Sequence, residues 1–184
     1  SLSYGDQPGG TVNVDRIALS NLLSIATSVV LQASNDITLQ AGGGILVNNG
    51  LGNGGNLALH AGRSILLNAD INTDNGNLEL IANDFLASGV VDADRDAGAA
   101  VIQMAPGTSI DTGTGNVEIT LALGTGKTNL SSGDIELSNI SGESLLVVND
   151  GPSAGSDIVF SGVVAMGNTL QAEAETNGAI LLSS

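Results

Sequence analysis

Ile71-Asn72-Thr73-Asp74-Asn75-Gly76-Asn77-Leu78-Glu79-Leu80 returns 39 positions later as Ile110-Asp111-Thr112-Gly113-Thr114-Gly115-Asn116-Val117-Glu118-Ile119. In both copies a Gly-Asn pair precedes an apolar-x-apolar alternation. That pattern marks a turn followed by a strand with one face inward. The unit recurs as Asn35-Asp36-Ile37-Thr38-Leu39, Gly55-Asn56-Leu57-Ala58-Leu59 and Gly133-Asp134-Ile135-Glu136-Leu137. Looser copies follow at Gly155-Ser156-Asp157-Ile158-Val159-Phe160 and Gly178-Ala179-Ile180-Leu181. Spacing of about 20 residues falls in the solenoid range, and the 39-residue match then reads as two turns of the repeat.

Each unit holds several short strands. Leu57-Ala58-Leu59 is followed by a turn, then Ile65-Leu66-Leu67, another turn, and Ile71. One such rung cannot bury its own apolar face. Stacked rungs can, because each strand pairs in parallel with its copy one rung away. The expected fold is therefore all-β: a right-handed parallel β-helix, about 20 residues per rung, spanning residues 1–184 as a single segment.

Two segments break the rhythm. Residues 15–27 space their apolar side chains near helical intervals, with Asp15 as N-cap, and predict a short helix. Residues 88–99 form a polar stretch too long for a corner and predict a loop excursion. A smaller loop is expected over 123–132. No capping element is legible at either end, which leaves end-to-end self-association open, since exposed strand edges invite pairing.

Composition agrees. Hydrophobic residues make up 42% of the 184, but aromatic residues only 2%, so Leu, Ile, Val and Ala must fill the core. The 26 glycines read as frequent corners with positive φ. A net charge of −15, with four basic residues, excludes nucleic-acid and anionic-membrane partners on electrostatic grounds. Cysteine is absent, so no thiolate metal site is possible. No run approaches membrane-spanning length. Ser1 begins without a signal peptide and reads as an internal cut, so the chain is expected to be a fragment of a longer protein.

The runs Leu22-Leu23-Ser24-Ile25-Ala26-Thr27-Ser28-Val29-Val30-Leu31-Gln32-Ala33-Ser34-Asn35-Asp36-Ile37-Thr38-Leu39 and Gly55-Asn56-Leu57-Ala58-Leu59-His60-Ala61-Gly62-Arg63-Ser64-Ile65-Leu66-Leu67-Asn68-Ala69 resemble the repeat regions of filamentous-haemagglutinin-type adhesins. The resemblance covers roughly residues 15–140 and is specific for architecture rather than for a ligand. It implies a bacterial protein exported to the cell surface or medium, often by two-partner secretion, that meets host-cell, matrix or glycan surfaces. The family's N-terminal secretion domain and C-terminal membrane barrel are not seen in this sequence.

Candidate chemistry is sparse. His60, the single histidine, stands outward between Leu59 and Ala61, with no second imidazole or thiolate nearby for zinc. No G-x-S-x-G elbow occurs. Glu79 and Glu118 hold matching repeat positions. Two rungs apart they would stand about 10 Å from each other, near the upper limit for an inverting glycosidase pair. Aromatic sugar platforms are nearly absent, so these carboxylates read as solvated and the chain as a non-enzyme. A polysaccharide-degrading enzyme is the third-ranked reading. Asp92, Asp94 and Asp96 alternate like the opening of a Ca²⁺ loop. Gly98 falls one place late and no Glu follows at the twelfth position, so a solvated acidic loop competes with the Ca²⁺ reading. A Ca²⁺- or glycan-binding module is thus the main alternative to a structural or adhesive segment.

Overall fold

The computed structural model describes residues 2–7, 9–175 and 177–183. Among the described residues one α-helix, α1 (Arg16–Ser24), precedes fifteen strands that pair in parallel throughout. They run β1 (Val29–Ala33), β2 (Ile37–Leu39), β3 (Ile45–Leu46), β4 (Leu57–Ala61), β5 (Ile65–Leu67), β6 (Ile71–Asn72), β7 (Leu78–Ala82) and β8 (Ala100–Met104). Then come β9 (Ser109–Asp111), β10 (Val117–Leu121), β11 (Ser132–Leu137), β12 (Asn139–Asn149), β13 (Ile158–Phe160), β14 (Val164–Ala174) and β15 (Ile180–Leu182).

The chain visits three ladders in a fixed order. The first holds β1, β4, β7, β10 and the ends of β12 and β14. The second, a separate six-stranded sheet, holds β2, β5, β8, β11, β13 and β15. The third holds β3, β6, β9 and the starts of β12 and β14. Because β12 pairs with β9 through its first residues and with β10 through its last, the first and third ladders join into one curled sheet.

Inward side chains stack in columns. Ile37, Ile65, Ile102, Ile135, Ile158 and Ile180 occupy one register position on the second ladder. Val29, Leu57, Leu78, Val117, Leu145 and Leu170 do so on the first. Ile45, Ile71, Ile110, Ile140 and Val164 complete the third. β-Branched chains suit this pleated stacking. The middle members of each column are buried, and each contributes roughly 1.5–3 kcal/mol from burial.

The register corrects the reading of the repeat length. Ile71 pairs directly with Ile110, and Glu79 with Glu118. Thirty-nine residues therefore make one circuit, not two. Successive circuits on the first ladder advance by 28, 21, 39, 28 and 25 residues. Pairing fixes only where strands meet, and a loop between strands can lengthen at little entropic cost. The 39-residue circuit contains an excursion between β7 and β8, and the next contains another between β10 and β11.

The recurring Gly-Asn pair has a cause in this stacking. Asn56 Oδ1 accepts from Asn77 N, and Asn77 Oδ1 from Asn116 N, each at 2.9 Å. One side chain thus satisfies a backbone donor one circuit away. The preceding glycines stack with little room: a Cβ on Gly76 would lie 2.3 Å from Gly55 O, and one on Gly115 2.4 Å from Gly76 O. Close backbone approach, rather than the positive φ expected from composition, holds glycine at these corners. Thr73 and Thr112, both buried, donate their hydroxyls to the Gly76 and Gly115 carbonyls.

The two ends differ. At the N-terminal end α1 covers the core with Leu19 and Leu23. Asp15 caps it by accepting from Ile17 N and Ala18 N. The helix also covers the edge of β3: Ser20 Oγ accepts from Leu46 N and Ser24 Oγ from Asn48 N. Leu2 bridges to Leu31 on β1. The sequence showed no cap here because the capping is done by hydroxyls on a tertiary neighbour. At the other end Leu170, Ile180 and Leu182 hold core register positions yet are 52%, 47% and 83% exposed.

Candidate functional site

The two excursions pack on each other beside the first and second ladders. Residues 83–99 leave β7 and include single 3₁₀ turns at Leu86–Ser88 and Asp92–Asp94. Residues 122–131 leave β10. Asn83, fully buried at the end of β7, donates its Nδ2 to Ala122 O at 2.9 Å and Leu130 O at 3.2 Å. Leu86 N donates to Thr125 O.

Two of the four basic residues lie inside this junction. Lys127 is 6% exposed; its Nζ donates to Gly62 O at 2.6 Å and Asn83 Oδ1 at 2.8 Å. Arg95 is buried too, and its guanidinium donates to the carbonyls of Gly62, Asp96, Gly98 and Ser131. Neither forms an ion pair among the described residues. Burial, then the neighbouring Arg95, pushes the Lys127 amine down to about 8. Burial, then Arg63, lowers Arg95 as well.

A carboxylate borders the same junction. Asp84 is buried and accepts from Tyr4 Oη at 2.6 Å, Phe85 N at 2.7 Å and Ser88 Oγ at 2.9 Å. Burial and this contact raise the Tyr4 hydroxyl far above its ordinary value. Arg63 forks onto Asp36 and donates Nη1 to Ala97 O, fastening the excursion to the second ladder.

Asp92, Asp94 and Asp96 do not converge. Asp92 accepts from Thr128 N and Oγ1, and that hydroxyl bond is the main cause of its lowered carboxyl. Asp96 accepts from Asn35 Nδ2 at 2.6 Å and lies 3.9 Å from Arg63. Asp94 is half-buried, apart from both contacts. Among the described residues no three His, Asp or Glu side chains gather as a metal site.

On the outer face His60 Nε2 lies 3.2 Å from Glu79 Oε2. Glu118 stands on the adjacent strand, about 4.8 Å away by strand spacing rather than 10 Å. Two hollows on the outer faces measure about 210 and 280 Å³, below the roughly 300–1,000 Å³ of small-molecule sites. One is floored by Val101, Gln103 and Glu136, the other by Glu118, Leu146 and Gln171.

No family model, curated protein or solved structure matches this chain.

The site is accordingly defined by its own geometry. Sequence reading located the excursions but missed the Lys127–Asn83–Gly62 cluster. One signal was present: two of only four basic residues, Arg95 and Lys127, fall in the two loop segments 88–99 and 123–132.

Proposed function

We propose that this chain is a stretch of right-handed parallel β-helix from a large secreted bacterial surface protein, where it serves as a rod that spaces or mediates attachment. The observation that carries this reading is the threefold stack of in-register apolar columns, repeated through successive circuits. Such a stack grows by adding circuits, each about 4.8 Å along the axis. It is a structure suited to length rather than to enclosing a substrate. The acidic surface keeps such a rod soluble and separate from like-charged surfaces. Contact with a host-cell, matrix or glycan surface falls to the paired excursions, where side chains depart from the repeating pattern. Association between copies of this chain runs through the exposed Leu170, Ile180 and Leu182, since α1 covers the opposite face of the stack.

Three measurements test this. An experimental structure gives the hand of the coil directly. Antibodies raised against the folded chain should label intact cells of the source bacterium, and beads coated with the chain should adhere to host cells or matrix. Labelling only after lysis would sink the surface assignment. Adhesion no greater than that of a heat-denatured coat would remove the attachment role.

A further inference from the structure

We propose that Lys127 and Asn83 join covalently, forming an amide between Lys127 Nζ and Asn83 Cγ that ties the two excursions together. The two side chains come from segments 44 residues apart and meet in the interior. Asn83 is 0% exposed and Lys127 6%. Lys127 Nζ lies 2.8 Å from Asn83 Oδ1. With a C=O bond of about 1.23 Å, Nζ is within about 4.0 Å of the carbonyl carbon. Productive attack needs about 3–3.5 Å, a shift of a few tenths of an ångström.

The surroundings favour the reaction. Asn83 Nδ2 is held by the Ala122 and Leu130 carbonyls, so the carboxamide is fixed with its Oδ1 toward the amine. Burial excludes competing water. Lys127 has no carboxylate ion-pair partner among the described residues to hold it as ammonium. Its amine titrates at about 8. Burial thus leaves a far larger share of this amine in the neutral, nucleophilic form near neutral pH than an ordinary lysine has.

The balance closes without a co-reactant. The Nζ lone pair attacks Asn83 Cγ and forms the C–N bond. The Cγ–Nδ2 bond then breaks, and Nδ2 leaves as ammonia with a proton from Nζ. That proton passes directly from Nζ to Nδ2 as the carbonyl re-forms, so no third group is needed to carry it. No electron is transferred to or from an outside group.

The test is the mass of the intact, denatured chain. Loss of ammonia lowers it by about 17 Da relative to the sequence mass. After trypsin, the cut following Lys127 should disappear, leaving residues 64–95 branched onto 96–184. Lys127→Arg retains the charge but should show the full mass and the ordinary linear peptides. The inference is overturned by a wild-type chain of full sequence mass. A 17 Da loss that tandem fragmentation assigns to an Asn-Gly step such as Asn75-Gly76, with no branched peptide, overturns it equally.

Discussion

Ile71 and Ile110 are direct partners on adjacent parallel strands, although 39 residues of chain separate them. Both are essentially fully buried. The chain between them makes a single circuit that happens to carry a long excursion. Two residues in contact in one core column should be energetically coupled. Ile71→Ala and Ile110→Ala should each destabilise by about 2–5 kcal/mol. The double variant should depart from additivity by at least about 0.5 kcal/mol. Denaturant unfolding of the four chains checks this. Strict additivity would put the pair a strand further apart.

Glycine at the stacked corners should be intolerant for steric reasons. Gly76→Ala places its Cβ against Gly55 O, a backbone atom that cannot swing aside. A loss of about 1–3 kcal/mol is expected. Gly50, with open space around it and no positive φ, should accept alanine within about 0.5 kcal/mol. Paired thermal melts measure the difference. Equal changes at the two positions would show that the close approach to Gly55 O is not what keeps glycine at position 76.

Asp150 sets a pH dependence near the open end. Burial, then the charges of Glu175 and Glu173, raises its carboxyl above the ordinary value. Between the unfolded and folded values the native state holds a proton that the unfolded state has lost. Stability therefore falls as pH rises through that window, and the destabilisation is complete above it. Asp150→Asn should melt higher at pH 7, by about 1–3 °C for a group this accessible. The advantage should shrink toward pH 4. A constant advantage across that range would trace the gain to something other than this titration.

The exposed core positions at the C-terminal end should drive association. Leu182 pairs with Phe160 on β13 yet is 83% exposed. Leu182→Lys should leave the unfolding midpoint within about 0.5 kcal/mol of the parent, as for a surface change. It should also abolish any concentration-dependent rise in sedimentation coefficient. Association unaffected by this change would move the contact to another surface.

How much of this was legible beforehand differs between the ladders and the excursions. Alternation at Leu57-Ala58-Leu59 and Leu78-Glu79-Leu80 is local, because successive side chains of a strand point to opposite faces. It can be read without knowing which strand lies alongside. So can the helix, since Asp15 caps donors only two and three residues on. By contrast, circuit length was misread. The segments 56–77 and 77–116 have different lengths but end in the same hydrogen bond, from an Asn N–H to the preceding Asn side chain.

The amino-acid sequence by itself determined the strands, their inward faces, the corner residues and the two places where the rhythm breaks. All of these follow from backbone geometry within a few residues. Tertiary structure alone decided that Glu79 and Glu118 are neighbours, that α1 covers one end and that Lys127 reaches Asn83. Those relationships depend on where a loop of arbitrary length returns the chain, and the free energy of closing such a loop varies too slowly with its length to leave a mark in the sequence.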